Sequence, residues 1–353
     1  MSFKSHLAEP PSRTNRLALL AAVEACRAAG MDAPALRSRR VGVCIGTTVG
    51  CTLNNEPFYR AWKAGELPDP EPVRRYLAGN PALWLAKALG LRGPVATIAN
   101  ACSSGTDAIG QAKSWIERGL CGIAIAGGAD ELSRVTYLGF ISLMITSPEP
   151  CRPFDRDRRG LNLGEGAGML LLANEEALRG NGAGPGVFAE GFGTSTDAYH
   201  PTAPHPEGRG LRQAIRVALE QAGADAGEIG LVNAHGTSTP DNDRVEGRVL
   251  TDLLAGGTPA VSTKGYTGHT LGAAGGIEAA LTVRALLDER LPATVGFETP
   301  DPDCVLIPTT ALTDVSADLA LSTSLAFGGT NSALLFRRGK RDRGSSRAKT
   351  LRL

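Results

Sequence analysis

The stretch that most constrains this chain is 97–105, Thr-Ile-Ala-Asn-Ala-Cys-Ser-Ser-Gly. Residues 94–99 read as a short buried strand, and apolar residues then recur at helical spacing over 106–119, with Gly119 as the stop. Between them lies a tight turn of small residues that carries Cys102. A nucleophile on such a turn projects from the end of a sheet. The helix N-terminus beside it supplies N–H donors and a positive partial charge, both of which favour the attacking thiolate. On residue type alone, a buried structural cysteine is the commoner reading. The rest of the chain reverses that weighting.

The 353 residues are 42% hydrophobic and 21% charged, as in ordinary globular proteins, and the net charge of +1 gives no pull toward nucleic acid or anionic membrane. The seven cysteines are scattered and include no CxxC pair, which suits a reducing cytoplasm better than a disulfide framework or a zinc site. The apolar run 17–23 continues in register through Glu24 and Arg27, so it reads as an amphipathic helix rather than a signal peptide, and no run is long enough to span a bilayer. Residues 1–12 and the basic tail 339–353, where Asp342 is the only acid, read as disordered.

In chain order, helices are predicted over 13–30, 80–90, 210–223 and 271–288. Strands are predicted over 41–47, 122–126, 169–173, 186–192, 229–234, 260–263, 319–324 and 332–336, and 130–150 reads as irregular. The pattern repeats. A helix followed by RRVGVCIGTT in the first half matches a helix followed by GEIGLVNAHGT in the second, which divides the chain into halves at 13–180 and 181–338. Strands alternating with helices imply parallel sheets with helices between them, an α/β fold. Catalytic groups then gather at the carboxyl ends of strands, and Cys102, His235, Lys264 and Phe327 all follow predicted strands.

Only five histidines occur, and two of them, His235 and His269, sit on glycine turns like that of the candidate nucleophile. The backbone of Phe327-Gly328-Gly329 is placed to complete an oxyanion hole with that of Cys102. Asp130, Glu131 and the charge run 156–159 read as salt links and surface, and His200 and His205 lack a third ligand, so no metal is assigned.

In combination, ANACSSG (99–105), RPFDRDRRGLNLGEGAG (152–168), NAHGTSTPDND (233–243), STKGYTGHTLGAAGG (262–276) and AFGGTN (326–331) resemble a beta-ketoacyl-acyl-carrier-protein synthase of the elongating, Cys-His-His type. The resemblance covers nearly everything from Arg13 to Arg337. It implies a thiolase fold of two pseudo-repeated halves in an α-β-α-β-α sandwich, and an acyltransferase. Such an enzyme joins an acyl group on Cys102 to malonyl-ACP by decarboxylative Claisen condensation, in fatty-acid or polyketide/polyene synthesis. His235 and His269 would donate to the malonyl thioester carbonyl, and Lys264 would hold His269 and the charge arrangement. Asp243, Glu246, Glu278 and Asn331 would support them, and Thr237 and Thr239 would line the pantetheine path. Phe327 and Gly328 would form the gate, and with Cys102 the oxyanion hole. The implied cofactor is none beyond the phosphopantetheine of the acyl carrier protein, and the implied assembly is a homodimer or a heterodimer paired through the strand before the nucleophile.

The same residues weigh against neighbouring families. Initiating synthases carry Asn where His269 stands, thiolases use a second cysteine in a CxG loop, and chain-length factors usually lack the nucleophile. The alternative is a weakly active or non-catalytic partner subunit of a ketosynthase heterodimer. Two departures stand out. Ala326 replaces the usual Gly before Phe327, which would stiffen the gate. Nothing ahead of the first helix corresponds to strand 186–192, whose counterpart is expected at the centre of its layer. Strands 41–47 and 122–126 would then have to close up, accept a strand from another chain, or be served by sequence upstream.

Overall fold

Side-chain caps set the helix boundaries. Ser12 accepts from the Asn15 N–H to open the first helix, and Asn80 accepts from Leu83 N–H at 2.7 Å ahead of Pro81, in the fifth. The structure, a computed structural model, describes residues 12–50, 55–78, 80–178, 186–254, 256–339 and 351–352. Its first half runs α1 (Arg13–Ala28), α2 (Ala33–Arg37), β1 (Val41–Gly46), α3 (Glu56–Lys63), α4 (Glu71–Ala78), α5 (Pro81–Leu89) and β2 (Val95–Ile98). It continues through α6 (Ser104–Glu117), β3 (Ile123–Asp130), α7 (Arg134–Ser142), β4 (Gly166–Asn174) and α8 (Glu175–Leu178). The second half runs β5 (Val187–Thr196), α9 (Arg209–Ala222), β6 (Ile229–Asn233), α10 (Pro240–Leu253), β7 (Ala260–Val261), α11 (Lys264–Thr267) and α12 (Ala274–Asp288). A small ribbon of β8 (Arg290–Leu291) and β9 (Thr313–Asp314) follows, then β10 (Leu319–Leu325), β11 (Thr330–Arg338) and β12 (Leu351–Arg352).

The strands are ordered β2-β1-β3-β4-β12-β5-β11-β10-β6-β7, two half-sheets that meet through β12. Helices α6 and α12 lie between them and touch strands of both, around a core that includes Ile109, Leu172, Leu334 and Phe336. Helices α1 and α5 close the outer face of the first half-sheet, and α9 and α10 that of the second. This is the five-layer thiolase arrangement. The carboxyl ends of β1, β2, β6 and β7 open toward one region, where the site forms.

Four expectations change. Strand β5 lies at the outer side of β11, antiparallel to it, and not at the centre of its layer. In both halves the central strands pair directly, β1 with β3 from Val41↔Ile123 to Gly46↔Gly128, and β6 with β10. Among the described residues no interior edge is left unpaired, because the repeat never places a strand there. The strand before Cys102 is not buried: β2 is an edge strand with Val95 36% exposed. The segment expected to be irregular contains α7, capped by Ser133, whose residues Val135, Tyr137, Leu138 and Ile141 face outward. Leu351–Arg352 form a strand where disorder was expected, pairing with Asn174 and Ala173 of β4. Residues 1–11 and 340–350, also expected to be disordered, lie outside the described residues, as does Leu353.

Backbone meets backbone where the halves join. A Cβ on Gly276, at the start of α12, would lie 2.4 Å from Gly168 O of β4 and 2.5 Å from Gly128 N of β3. Gly276→Ala is therefore expected to cost about 1–3 kcal/mol by overpacking, read as a lower denaturation midpoint. Gly227→Ala, with nothing within 4 Å of its Cβ, should leave the midpoint unchanged. Equal midpoints for the two variants would refute this account of the seam.

Candidate active site

Cys102 lies in a 3-10 turn, Ala101–Ser103, that leads directly into α6. Ala101 is held at φ +49°, a left-handed conformation that costs a non-glycine residue about 1–3 kcal/mol. The turn is fixed from inside. Ser104 Oγ accepts from Asn100 N–H at 2.8 Å and donates to Ala101 O at 2.6 Å, and Thr48 Oγ1 donates to the same carbonyl at 3.1 Å. The buried Cys102 side chain lines a cavity of about 270 Å³ together with His235, His269, Phe327, Thr237 and Thr239. The nearby Lys264 charge and the Phe327 N–H both favour the thiolate. Burial outweighs both and pushes the thiol up to about 12.

His235 follows β6, and Glu246 of α10 fixes its turn by accepting from His235 N–H and Gly236 N–H, each at 2.7 Å. Thr323 Oγ1 donates to the same carboxylate at 2.7 Å. Lys264 Nζ is buried between His235 O at 2.6 Å, His235 Nδ1 at 3.1 Å and Glu278 Oε1. An ammonium can only donate, so Nδ1 of His235 accepts and the ring proton sits on Nε2. Nδ1 of His269 likewise accepts from Leu271 N–H at 3.4 Å, which leaves its proton on Nε2. The two rings stand nearly perpendicular, with centroids 5.2 Å apart. Burial and the Lys264 charge hold both imidazoles well below 6.5, so both are neutral, each offering one Nε2–H.

The chain that brings this cysteine and these two histidines together matches known proteins along most of its length. Residues 3–177 match the model of the beta-ketoacyl synthase N-terminal domain and residues 188–298 that of its C-terminal domain. The chain is 37% identical over 319 residues to 3-oxoacyl-[acyl-carrier-protein] synthase 2 of a Synechocystis strain, covering 86% of this chain and 76% of that protein. It belongs to the beta-ketoacyl synthase family. As such it is an acyltransferase of the condensing type. Among solved structures, the ishigamide ketosynthase/chain length factor superposes with a TM-score of 0.89 at 31% identity, over 95% of this chain and 84% of that one. A type II PKS acyl-carrier protein in complex with its ketosynthase bound to the hexaketide superposes with a TM-score of 0.88 at 28% identity, over 96% and 86%.

Several residues of this ketosynthase do other work than expected. Lys264 bonds to His235 and Glu278, and reaches His269 only through its field. Asp243 contacts neither histidine. It accepts from Phe154 N–H at 2.7 Å and from Ser238 N–H at 3.1 Å, and so braces the loop beyond His235. Gly328 N–H donates to Pro201 O at 2.8 Å, so Phe327 alone of the gate turn points its N–H at the sulfur. Asn331 Nδ2 donates to Gly329 O at 2.9 Å and holds that turn closed. The Phe327 ring stacks on Phe140 with centroids 5.5 Å apart. Ala326 is free of positive φ and sits in the turn without backbone strain. Thr237 and Thr239 line the cavity with hydroxyls 2.9 Å apart.

Asp130, read from sequence as part of a salt link, is a buried acceptor for four donors. Thr47 Oγ1 lies at 2.5 Å, Thr48 N at 2.8 Å and Val49 N at 3.2 Å from it, and Gly272 N of the other half at 2.7 Å. Among the described residues no group of three His, Cys, Asp or Glu side chains is arranged to hold a metal, and no helix is long and apolar enough to cross a membrane.

The raised thiol gives a pH dependence. A group with a raised pKa stays protonated through neutrality, so alkylation of Cys102 by iodoacetamide should climb about tenfold per pH unit from pH 7 to 9. Peptide mass spectrometry reads the rate at that residue. A plateau below pH 8 would mean that Lys264 and the Phe327 N–H prevail over burial.

Proposed function

We propose that Cys102 carries the growing acyl chain and that His235 and His269 bind the malonyl thioester as its enolate forms. In the first half-reaction the sulfur attacks the thioester of an acyl-ACP. A carbon–sulfur bond forms to Cys102, the bond to pantetheine breaks, and the proton of Cys102 leaves with the pantetheine thiol. In the second, the carboxylate of malonyl-ACP departs as CO2. The bonding pair becomes an enolate whose oxygen lies between the two Nε2–H groups. The enolate carbon attacks the acyl carbon, and the tetrahedral oxyanion is met by the N–H groups of Phe327 and Cys102. Collapse releases Cys102, which regains a proton. The observation that carries this reading is the pair of neutral rings, each with Nδ1 already occupied as an acceptor. They can donate to an enolate, and they have no ring lone pair left with which to act as bases.

We also assign the carrier protein as the source of the phosphopantetheine, which would enter past Thr237 and Thr239 with no other organic cofactor or metal. The complexed relatives described above support a carrier and a ketosynthase-like partner for this chain. The free edge of β2 and the outward apolar face of α7 support pairing as a homodimer or heterodimer at that side. The reaction would run in the cytoplasm.

Two variants separate the half-reactions. Cys102→Ala should abolish acyl loading and condensation while leaving malonyl-ACP decarboxylation measurable. His269→Ala should still load acyl groups and lose decarboxylation by about 100-fold or more, as for a lost oxyanion donor. If His269→Ala releases CO2 at the wild-type rate, the role given to that histidine is wrong.

The gate gives a further test. Gly328 sits at φ +84° with open space around its Cβ position, so a bulky residue there strains the turn without a clash. Gly328→Phe is expected to slow acyl transfer more than decarboxylation. Equal losses would make the turn scaffolding only.

A further inference from the structure

The turn that carries the nucleophile rests on a buried acid with no part in the chemistry above. Asp107 lies in the first turn of α6, five residues after Cys102. Its Oδ2 accepts from Asn100 Nδ2 and from Ser103 Oγ, each at 2.9 Å, and its Oδ1 accepts from Ser332 Oγ. Asn100 and Ser103 flank the nucleophile in sequence. Ser332 belongs to the other half, on β11, and follows Asn331, the residue that closes the gate turn through Gly329 O. One oxygen of the carboxylate is committed to the nucleophile turn and the other to the strand leaving the gate.

We propose that Asp107 is a positioning residue for acyl transfer, holding Cys102 in register with the Phe327 N–H that faces its sulfur. The proposal rests on the assignment of acyl loading to Cys102. The geometry it protects spans two halves of the molecule. Neither β2 nor α6 alone fixes where the gate lies, since the gate belongs to β10 and β11. A carboxylate suits the task because it accepts on both sides at once. An amide can imitate it, because the Ser332 hydroxyl can turn and accept from the new NH2 group. An aliphatic side chain cannot, and would leave the hydroxyls of Ser103 and Ser332 without this partner.

The test compares acyl loading with malonyl decarboxylation in Asp107→Leu, Asp107→Asn and Ser332→Ala. Loading is followed by intact mass after mixing with an acyl-pantetheine thioester, and decarboxylation by CO2 release from malonyl-ACP. Misplacement of the sulfur should slow loading of Asp107→Leu by about tenfold to a hundredfold with CO2 release within about twofold of wild type. Asp107→Asn should load within about threefold of wild type. Ser332→Ala cuts the tie to Asp107 across the halves and, within its own half, the 3.3 Å bond to Thr194 Oγ1, while leaving the Asp107 bonds to Asn100 and Ser103 in place, so it tests the proposal even if Asp107→Leu does not fold. It should load about threefold to tenfold more slowly. Wild-type loading in Ser332→Ala, or equal losses in both half-reactions, would overturn the positioning role while leaving the function of Cys102 intact. Wild-type protein that takes no acyl group at all would overturn both.

Discussion

The carboxylate of Asp130 is where the two halves are tied together. It stands at the end of β3 and gathers the hydroxyl of Thr47 and the amides of Thr48 and Val49 from the loop after β1. Its fourth donor, Gly272 N–H, comes from the segment between His269 and α12. Burial pushes this carboxyl up and the four donors pull it back. An acid of this kind is costly to bury unless every acceptor site is met. Around it the glycines of α12, β3 and β4 let backbone approach backbone, with no side chain to hold the halves apart. The cysteine comes from one half and both histidines from the other, so the cavity exists only because this seam closes in one register.

Around the cavity, charge is kept one layer behind Cys102, His235 and His269. Lys264 and Glu278 form a buried pair, and Glu246 is buried against backbone amides. Such pairs add little net stability, because desolvation offsets their attraction, yet removing one partner is expensive. Here the pair fixes chemistry instead. The ammonium turns Nδ1 of His235 into an acceptor, and its field with burial keeps both imidazoles neutral. The same burial holds Cys102 as a thiol, with only the Phe327 N–H and Lys264 working toward the anion.

Much of this was legible in the sequence, because the site residues sit on small-residue turns at strand ends and both turn chemistry and strand ends are local signals. Cys102, His235, Lys264, His269 and Phe327 all stand where those signals place them. What escaped was non-local. Asp130 and Asp107 are ordinary acids in sequence, and only the packing of the halves shows them buried among donors. Helix α7 escaped because its apolar residues face outward, so no polar face marked its period. Helices α3, α4 and α10 are absent from the sequence reading, and each begins at or beside a proline that occupies its first turn. The place of β5 escaped because a repeat in sequence gives the order of strands along the chain, and not their order across a sheet.

That repeat also accounts for why one half projects a cysteine into the cavity and the other does not. Asn100-Ala101-Cys102-Ser103-Ser104-Gly105 before α6 corresponds to Thr270-Leu271-Gly272-Ala273-Ala274-Gly275 before α12. Both segments form a 3-10 turn, and both open on a left-handed residue, Ala101 at φ +49° and Leu271 at φ +56°. The two glycines that follow pack against the opposite turn in turn. A Cβ on Gly105 would lie 2.7 Å from Gly272 O, and one on Gly275 would lie 2.6 Å from Thr106 N. The position equivalent to Cys102 is Gly272, and it has no room for a side chain: a Cβ there would meet Thr48 N at 2.6 Å and Thr47 C at 2.7 Å. Those are the residues that Asp130 draws in. The carboxylate that closes the seam therefore fills, with the loop after β1, the space that a second nucleophile would need. What the second turn keeps is its N–H, donated to Asp130, and the helix start that leads to Glu278 and its ion pair with Lys264. One copy of the turn projects a sulfur into the cavity, and the other lies beneath His269, whose Nδ1 accepts from Leu271 N–H.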